Sequence, residues 1–147
     1  MTDPHDRSDR FEMLAACDAE TLVAHADAVV EGGTEVRILQ APTPQLVMQQ
    51  VVEPVARQLF NLGEVLVTAA EVELDGEKGF AMRSGKAEKP ALSGAVVDAA
   101  IESDHPRTAE MVASLSATAT ERERERRERW GETRETTVEF EEMEDHT

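Results

Sequence analysis

Between Val65 and Leu74 this sequence alternates with a period of two and then halts at a turn, a pattern that fits little except a strand of a sheet. Val65 and Val67 point to one side, while Leu66, Thr68, Ala70, Val72 and Leu74 point to the other. Asp75-Gly76 supplies the halt, because glycine tolerates positive φ and aspartate bonds its own backbone. The return run, Lys78-Gly79-Phe80-Ala81-Met82-Arg83, sets Phe80 and Met82 on one face. The pair is a hairpin.

Helical periods flank it. Residues 1–7 read as a disordered lead. Ser8 is a candidate cap for a first helix with Phe11, Leu14 and Ala15 on one face. Asp18 breaks that helix and caps a second, whose stripe is Leu22, Ala26, Val29 and Val30, and Gly32-Gly33 ends it. Two shorter strands are predicted next. Thr34 to Gln40 alternates about Val36 and Ile38, Pro42-Thr43-Pro44 turns the chain, and Leu46 to Val52 follows until Pro54 removes a ladder donor. Residues 53–63 then connect to the hairpin, which completes a four-stranded antiparallel meander.

After Gly85 the period is helical again. Pro90 suits a first turn, and Leu92, Ala95, Val96 and Ala99 form a stripe ending near Ile101. Asp104-His105-Pro106 punctuates before a last helix that offers Met111, Val112 and Leu115 to the core. Its second half, Glu121 to Arg129, has no apolar residue and carries Glu123 with Arg127, and Glu125 with Arg129, at i,i+4 spacing. Thr136 to Phe140 is a short candidate strand, and the acidic end reads as a mobile tail. The predicted class is α+β: two N-terminal helices, a four-stranded antiparallel meander, then two C-terminal helices. The domain plan is a lead at 1–7, one domain at 8–140 and a tail at 141–147.

A length of 147 residues is enough for one domain with its own core. Aromatics are only 3% and tyrosine is absent, so Val, Leu, Ala and Met must build that core with less area per residue. Either partner chains complete the burial or a small aliphatic core suffices. The net charge of −16 argues against charge-driven binding to nucleic acid or anionic membranes. The acid is spread along the chain, as in proteins of a salt-rich cytoplasm, where salt screens repulsion over a few ångströms. The rival reading is an acidic protein awaiting a basic partner. Cys17 is the single cysteine, so no internal disulfide forms, which fits a reducing cytoplasm. No apolar signal-peptide core opens the chain and no apolar run reaches membrane-spanning length. A cytoplasmic, soluble protein is expected.

No constellation amounts to an active site. His5, His25, His105 and His146 lack zinc spacing, and His25 reads as a partly buried, hydrogen-bonded residue beside an apolar stripe. Glu71 and Glu73 share a strand face and invite acid–base chemistry, but a charged outer face explains them. Cys17 has no histidine at a telling spacing and reads as a small helix hydrophobe. Gly32-Gly33 lacks the Lys-Ser/Thr of a phosphate loop, and the other glycines are too spread for a dinucleotide fingerprint. Ser84 and Ser93 sit in no nucleophile elbow. The run from Glu121 to Arg129 mixes both signs, so its field cancels and it is no nucleic-acid patch. Trp130, the only tryptophan, is a large anchor suited to an interface, or it packs back on the domain. These residues predict no catalytic, cofactor-binding or metal-binding site in this chain.

The strand motif also carries a resemblance. Phe60-Asn61-Leu62-Gly63-Glu64-Val65-Leu66-Val67-Thr68, then Ala70-Glu71-Val72, resembles the signature strand of the G subunit (PhnG) of the carbon–phosphorus lyase core complex. The likeness runs from Arg10 to about Met143. Arg10-Phe11-Glu12-Met13-Leu14-Ala15 is similar to the family's first helix. Leu46-Val47-Met48 matches in order and spacing, as do Gly85, Ala91, Ala95 and Val97-Asp98-Ala99. Thr137-Val138-Glu139-Phe140 with Met143 looks like a worn copy of its closing segment. Two departures stand out. The family's arginine between Thr and Ala of the strand is Ala69 here, and its Arg-Asp and His-Ala-Glu after the glycine are replaced by the stretch Lys86 to Leu92. No catalytic role is therefore carried onto these residues.

The resemblance implies a subunit role. The family's complex joins an alkylphosphonate to the ribose C1 carbon of ATP and displaces adenine, giving a ribose 1-alkylphosphonate 5-triphosphate. The partners it implies are the I, H, J and L subunits, with ATP and alkylphosphonate as substrates of the complex and no cofactor held by this chain alone. A co-catalytic or non-catalytic subunit of that synthase is expected, with Asn61, Gly63, Glu64 and Trp130 as candidate partner-interface residues. The alternative is a stand-alone acidic interaction module that keeps the fold without the complex.

Overall fold

The computed structural model describes the backbone of residues 3–52 and 59–145 and the side chains of residues 3–48 and 63–130. Helices α1 (Arg7–Ala16) and α2 (Ala19–Glu31) lead into strands β1 (Val36–Val52), β2 (Leu59–Leu74) and β3 (Glu77–Ser84). Helices α3 (Glu88–Glu102) and α4 (Thr108–Asp145) follow. The strands form one antiparallel sheet in the order β1-β2-β3. Ala70, Val72 and Leu74 of β2 and Ala81 of β3 face the helices and are buried, as the alternation predicts. On the other face the register sets Glu73 between Arg37 and Lys78. That is the charged outer face.

The described sheet has three strands, not the predicted four-stranded meander. Thr34 to Gln40 and Leu46 to Val52 belong largely to the single strand β1, and Pro42-Thr43-Pro44 lies inside it rather than turning the chain. β1 is an edge strand, so a proline there removes no ladder bond. Register shifts between Ile38 and Gln40 and between Gln40 and Thr43 absorb the extra residues as bulges. Part of the expected 53–63 connection is also strand, because β2 begins at Leu59 opposite Val52. Pro54 lies outside the described residues. The backbone is helical through residues 136–140, where a strand was predicted, because α4 continues to Asp145. At 1.5 Å per residue its 38 residues span about 57 Å.

Other details shift by a residue or a face. Asp6, not Ser8, caps α1, its side chain accepting from the Ser8 N–H at 3.1 Å. α1 buries Arg10, Met13 and Leu14, leaving Phe11 and Ala15 toward solvent. Asp18 caps α2 as expected, accepting from the Thr21 N–H. α3 has no capping side chain of its own. Thr68, buried on β2, substitutes: its hydroxyl donates to the Gly85 carbonyl at 2.6 Å and accepts from the Ala87 N–H at 3.0 Å.

α3 is the centre of the molecule, buried from Ser93 to Ile101 on every side. Small residues allow this. Gly79 of β3 lies so close to α3 that a Cβ would overlap the Ala95 carbonyl oxygen and the Ala99 amide nitrogen and would come within 2.7 Å of the Ala99 Cβ. A Cβ on Gly94 would meet that of Ala81 at 2.8 Å. Sheet and helix thus approach through Gly79, Ala81, Gly94, Ala95 and Ala99, and the scarcity of aromatics becomes a packing rule. Overpacking such a contact typically costs about 1–3 kcal/mol, and more where backbone is struck. Gly79→Ala is therefore expected to destabilise the fold by about 3 kcal/mol or more, read as a lowered urea midpoint. An unchanged midpoint would show that β3 does not pack directly on α3.

Candidate functional site

Two places gather the chemistry of this chain: a buried charge network beneath α1, and a two-stranded arm at one end of the sheet. The network starts from Arg10, whose guanidinium is fully buried. Its Nε donates to Asp98 Oδ1 at 2.6 Å, one terminal nitrogen donates to the Pro4 carbonyl at 2.8 Å, and the other donates to Glu102 Oε1. The second oxygen of Asp98 accepts from the Phe80 N–H at 2.9 Å and faces Arg7 at 3.5 Å. Arg7 in turn donates to the Lys78 carbonyl. One cluster therefore ties the N-terminus and α1 to β3 and α3. The hydrogen bond from Arg10 holds the Glu102 carboxyl below the ordinary carboxylate range.

No buried side-chain nitrogen or oxygen lacks a partner among the described residues, so this network is saturated within the chain. Its donors are committed to holding elements together rather than to a substrate. Sequence reasoning passed over this role: Arg10 and Asp98 entered only as parts of the resemblance. The available signal was an aspartate inside the apolar stretch of α3, which demands a buried cation.

The same side of the molecule seals the edge of β3. Phe11 stacks on Phe80 with centroids 5.9 Å apart, and Arg83 donates to the Leu14 and Cys17 carbonyls at 2.8 and 2.6 Å. Elsewhere His25 on α2 meets the Ser114 hydroxyl on α4 at 2.8 Å. Burial is the largest influence on its imidazole and lowers its pKa; Glu110 opposes this and Arg107 assists it. His105 accepts the Arg107 N–H at Nδ1, so the neutral ring carries its proton on Nε2 and donates to Thr34 at 2.9 Å. Cys17 is buried. Among the described residues no group of His, Cys, Asp and Glu is placed to hold a metal ion.

The arm is the other place. β3 ends at Ser84 opposite Val67, and Gly85, at φ +77°, turns the chain toward α3. β2 nevertheless extends back to Leu59, so residues 59–66 pair with β1 alone. Leu46 and Leu66 are opposed, as are Met48 and Glu64. Leu46 is 61% exposed and Met48 57%. Gly63, at φ +120°, lies at the register shift between Gln49 and Gln50. Its glycine is thus required by a bulge.

Three of the predicted interface residues, Asn61, Gly63 and Glu64, fall together on this arm, and Glu64 is exposed. The side chain of Asn61 lies outside the described ones. Trp130 is not with them: it stands 64% exposed on α4, beyond the ion-paired segment of Arg127 with Glu123 and Arg129 with Glu125. It does not pack back on the domain. Ala69 is buried in β2, where the resemblance led one to expect an arginine.

Arg10→Ala should lower stability by about 3–5 kcal/mol, because it strands Asp98 as a buried unpaired charge. Chemical denaturation measures this, and a loss below 1 kcal/mol would mean the cluster is not the tie described. His25 gives a pH signature. Its folded pKa lies below the unfolded one, so its contribution is complete above the unfolded pKa and is lost as pH falls through the folded pKa. The melting temperature should fall on acidification below about pH 6.5, and His25→Gln should flatten that slope. An identical slope in the variant would remove His25 as its source.

A family model described as phosphonate metabolism protein PhnG matches residues 5–144. A comparison with curated proteins returned no match. Among the described residues, no helix is long and apolar enough to cross a membrane.

Proposed function

The chain belongs to the PhnG family of phosphonate metabolism proteins, and on that premise we propose that it is the small subunit of a carbon–phosphorus lyase complex acting at the first step. In that step the alkylphosphonate oxygen attacks the ribose C1 of ATP and adenine leaves, giving a ribose 1-alkylphosphonate 5-triphosphate. This chain supports the reaction as a co-catalytic or non-catalytic subunit, with the I, H, J and L subunits as partners. ATP and the phosphonate are substrates of the assembly. The match over residues 5–144 carries this reading.

The geometry accords with a supporting role. The largest ionisable cluster, around Arg10, is committed to internal bonds, whereas the signature strand continues outward past the helices. Asn61, Gly63 and Glu64, with Trp130 on the far helix, are the residues we assign to partner contacts. A net charge of −16 supports a salt-rich cytoplasm as the working environment, where the self-repulsion is screened. On that account the melting temperature rises with potassium chloride; a salt-independent value would refute it.

Co-expression with the I-subunit homologue of the same organism, followed by sizing in high salt, tests the subunit role. One heteromeric species is expected, and adenine release from ATP and methylphosphonate should require the assembled set. A folded monomer that ignores the partner at every salt concentration would leave a stand-alone interaction module instead.

A further inference from the structure

The sheet has three places where a strand edge or apolar face must be managed, and the chain manages two. α1 lies along the outer edge of β3, with Arg7 at Lys78, Phe11 at Phe80 and Arg83 at the α1 carboxyl end. Pro42 and Pro44 punctuate the outer edge of β1, where they remove two N–H groups from any row a strand could join. The third place is left open. From Leu66 back to Leu59, β2 has no neighbour on the side that β3 occupies further along, and a two-stranded ribbon is marginal in water on its own.

Composition changes at the same point. The sixteen residues 45–52 and 59–66 hold one charged side chain, Glu64, whereas 31% of sixteen would be about five. Depletion of charge is what distinguishes the centre of an interface from ordinary surface. On the face shared with the helix layer, Leu46 and Met48 lie exposed beside Leu66, beyond the point where α3 begins at Glu88.

We propose that this arm is the docking element of the chain, clasped by a different protein that covers Leu46 and Met48 with apolar side chains and sets a lysine or arginine against Glu64. The occupant is not a second copy. Two chains of net charge −16 repel each other, and a copy would need to bring a cation to Glu64 from a segment that has none. A basic-rimmed apolar seat satisfies both the neutral face and its lone acid. The identity of that partner as a carbon–phosphorus lyase subunit rests on the function proposed above.

The test uses the full chain with the co-expressed I-subunit homologue. Leu46→Asp and Met48→Asp alter exposed residues, so both variants should fold with an unchanged circular dichroism spectrum. Each should weaken co-elution at least about tenfold, and Glu64→Lys should weaken it further at low salt than at high salt. Val30→Asp, on exposed α2 surface, is the control and should not matter. Should a variant not fold, amide hydrogen exchange on the unmodified pair decides: slower exchange at residues 59–66 on complex formation supports the arm. Wild-type binding with unimpaired variants and unchanged exchange would overturn the arm while leaving the subunit role standing. Loss of co-elution by the wild type itself would instead sink that role, and the arm's assignment with it. A wild-type homodimer abolished by Leu46→Asp would overturn the choice of a different protein.

Discussion

The buried guanidinium of Arg10 is the point on which this small molecule turns. It sits where four parts of the chain meet, and each of its bonds runs to a different one. Pro4 belongs to the N-terminal turn, Asp98 and Glu102 to the central helix, and Asp98 relays the tie to the backbone of β3 at Phe80. A charge with no exposure is tolerable only because its counter-charge and remaining donors are all engaged. The same saturation makes it an anchor rather than a site. With α1 so held, Phe11 can stack on Phe80 and Arg83 can bind the last carbonyls of the helix.

What holds the body together also decides what is left for others. The close approach of β3 to α3 through Gly79 and Gly94 lets a core of alanines, valines and leucines exclude water without aromatic bulk. That economy ends at Gly85, where β3 stops and β2 does not. Beyond it the strands keep the apolar character of a covered sheet with no helix of this chain above them. A family of assembly subunits is a natural home for such a surface.

Much of this was legible in the residues. The alternation of β2, the Asp75-Gly76 turn and the apolar stripes gave the hairpin, the α+β class and the order of helices. The extra strand in the expected meander came from Pro42-Thr43-Pro44, whose turn signal is local, whereas its acceptability inside β1 depends on that strand having no outer neighbour. Edge position is a tertiary fact that no window of sequence contains. Arg10 was hidden for the same reason: its partners lie 88 and 92 residues away. The interface candidates fared unevenly. Asn61, Gly63 and Glu64 gather on the arm, while Trp130 is carried elsewhere by α4. Leu46 and Met48 escaped notice because an apolar strand reads as core until one sees that nothing lies over it.

The small-residue core has a thermodynamic corollary. Unfolding raises the heat capacity in proportion to the apolar area it exposes, and alanine and glycine contacts expose little of it. A body packed through Gly79, Ala81, Gly94, Ala95 and Ala99 therefore has a shallow stability curve, varying little in free energy over a broad range of temperature.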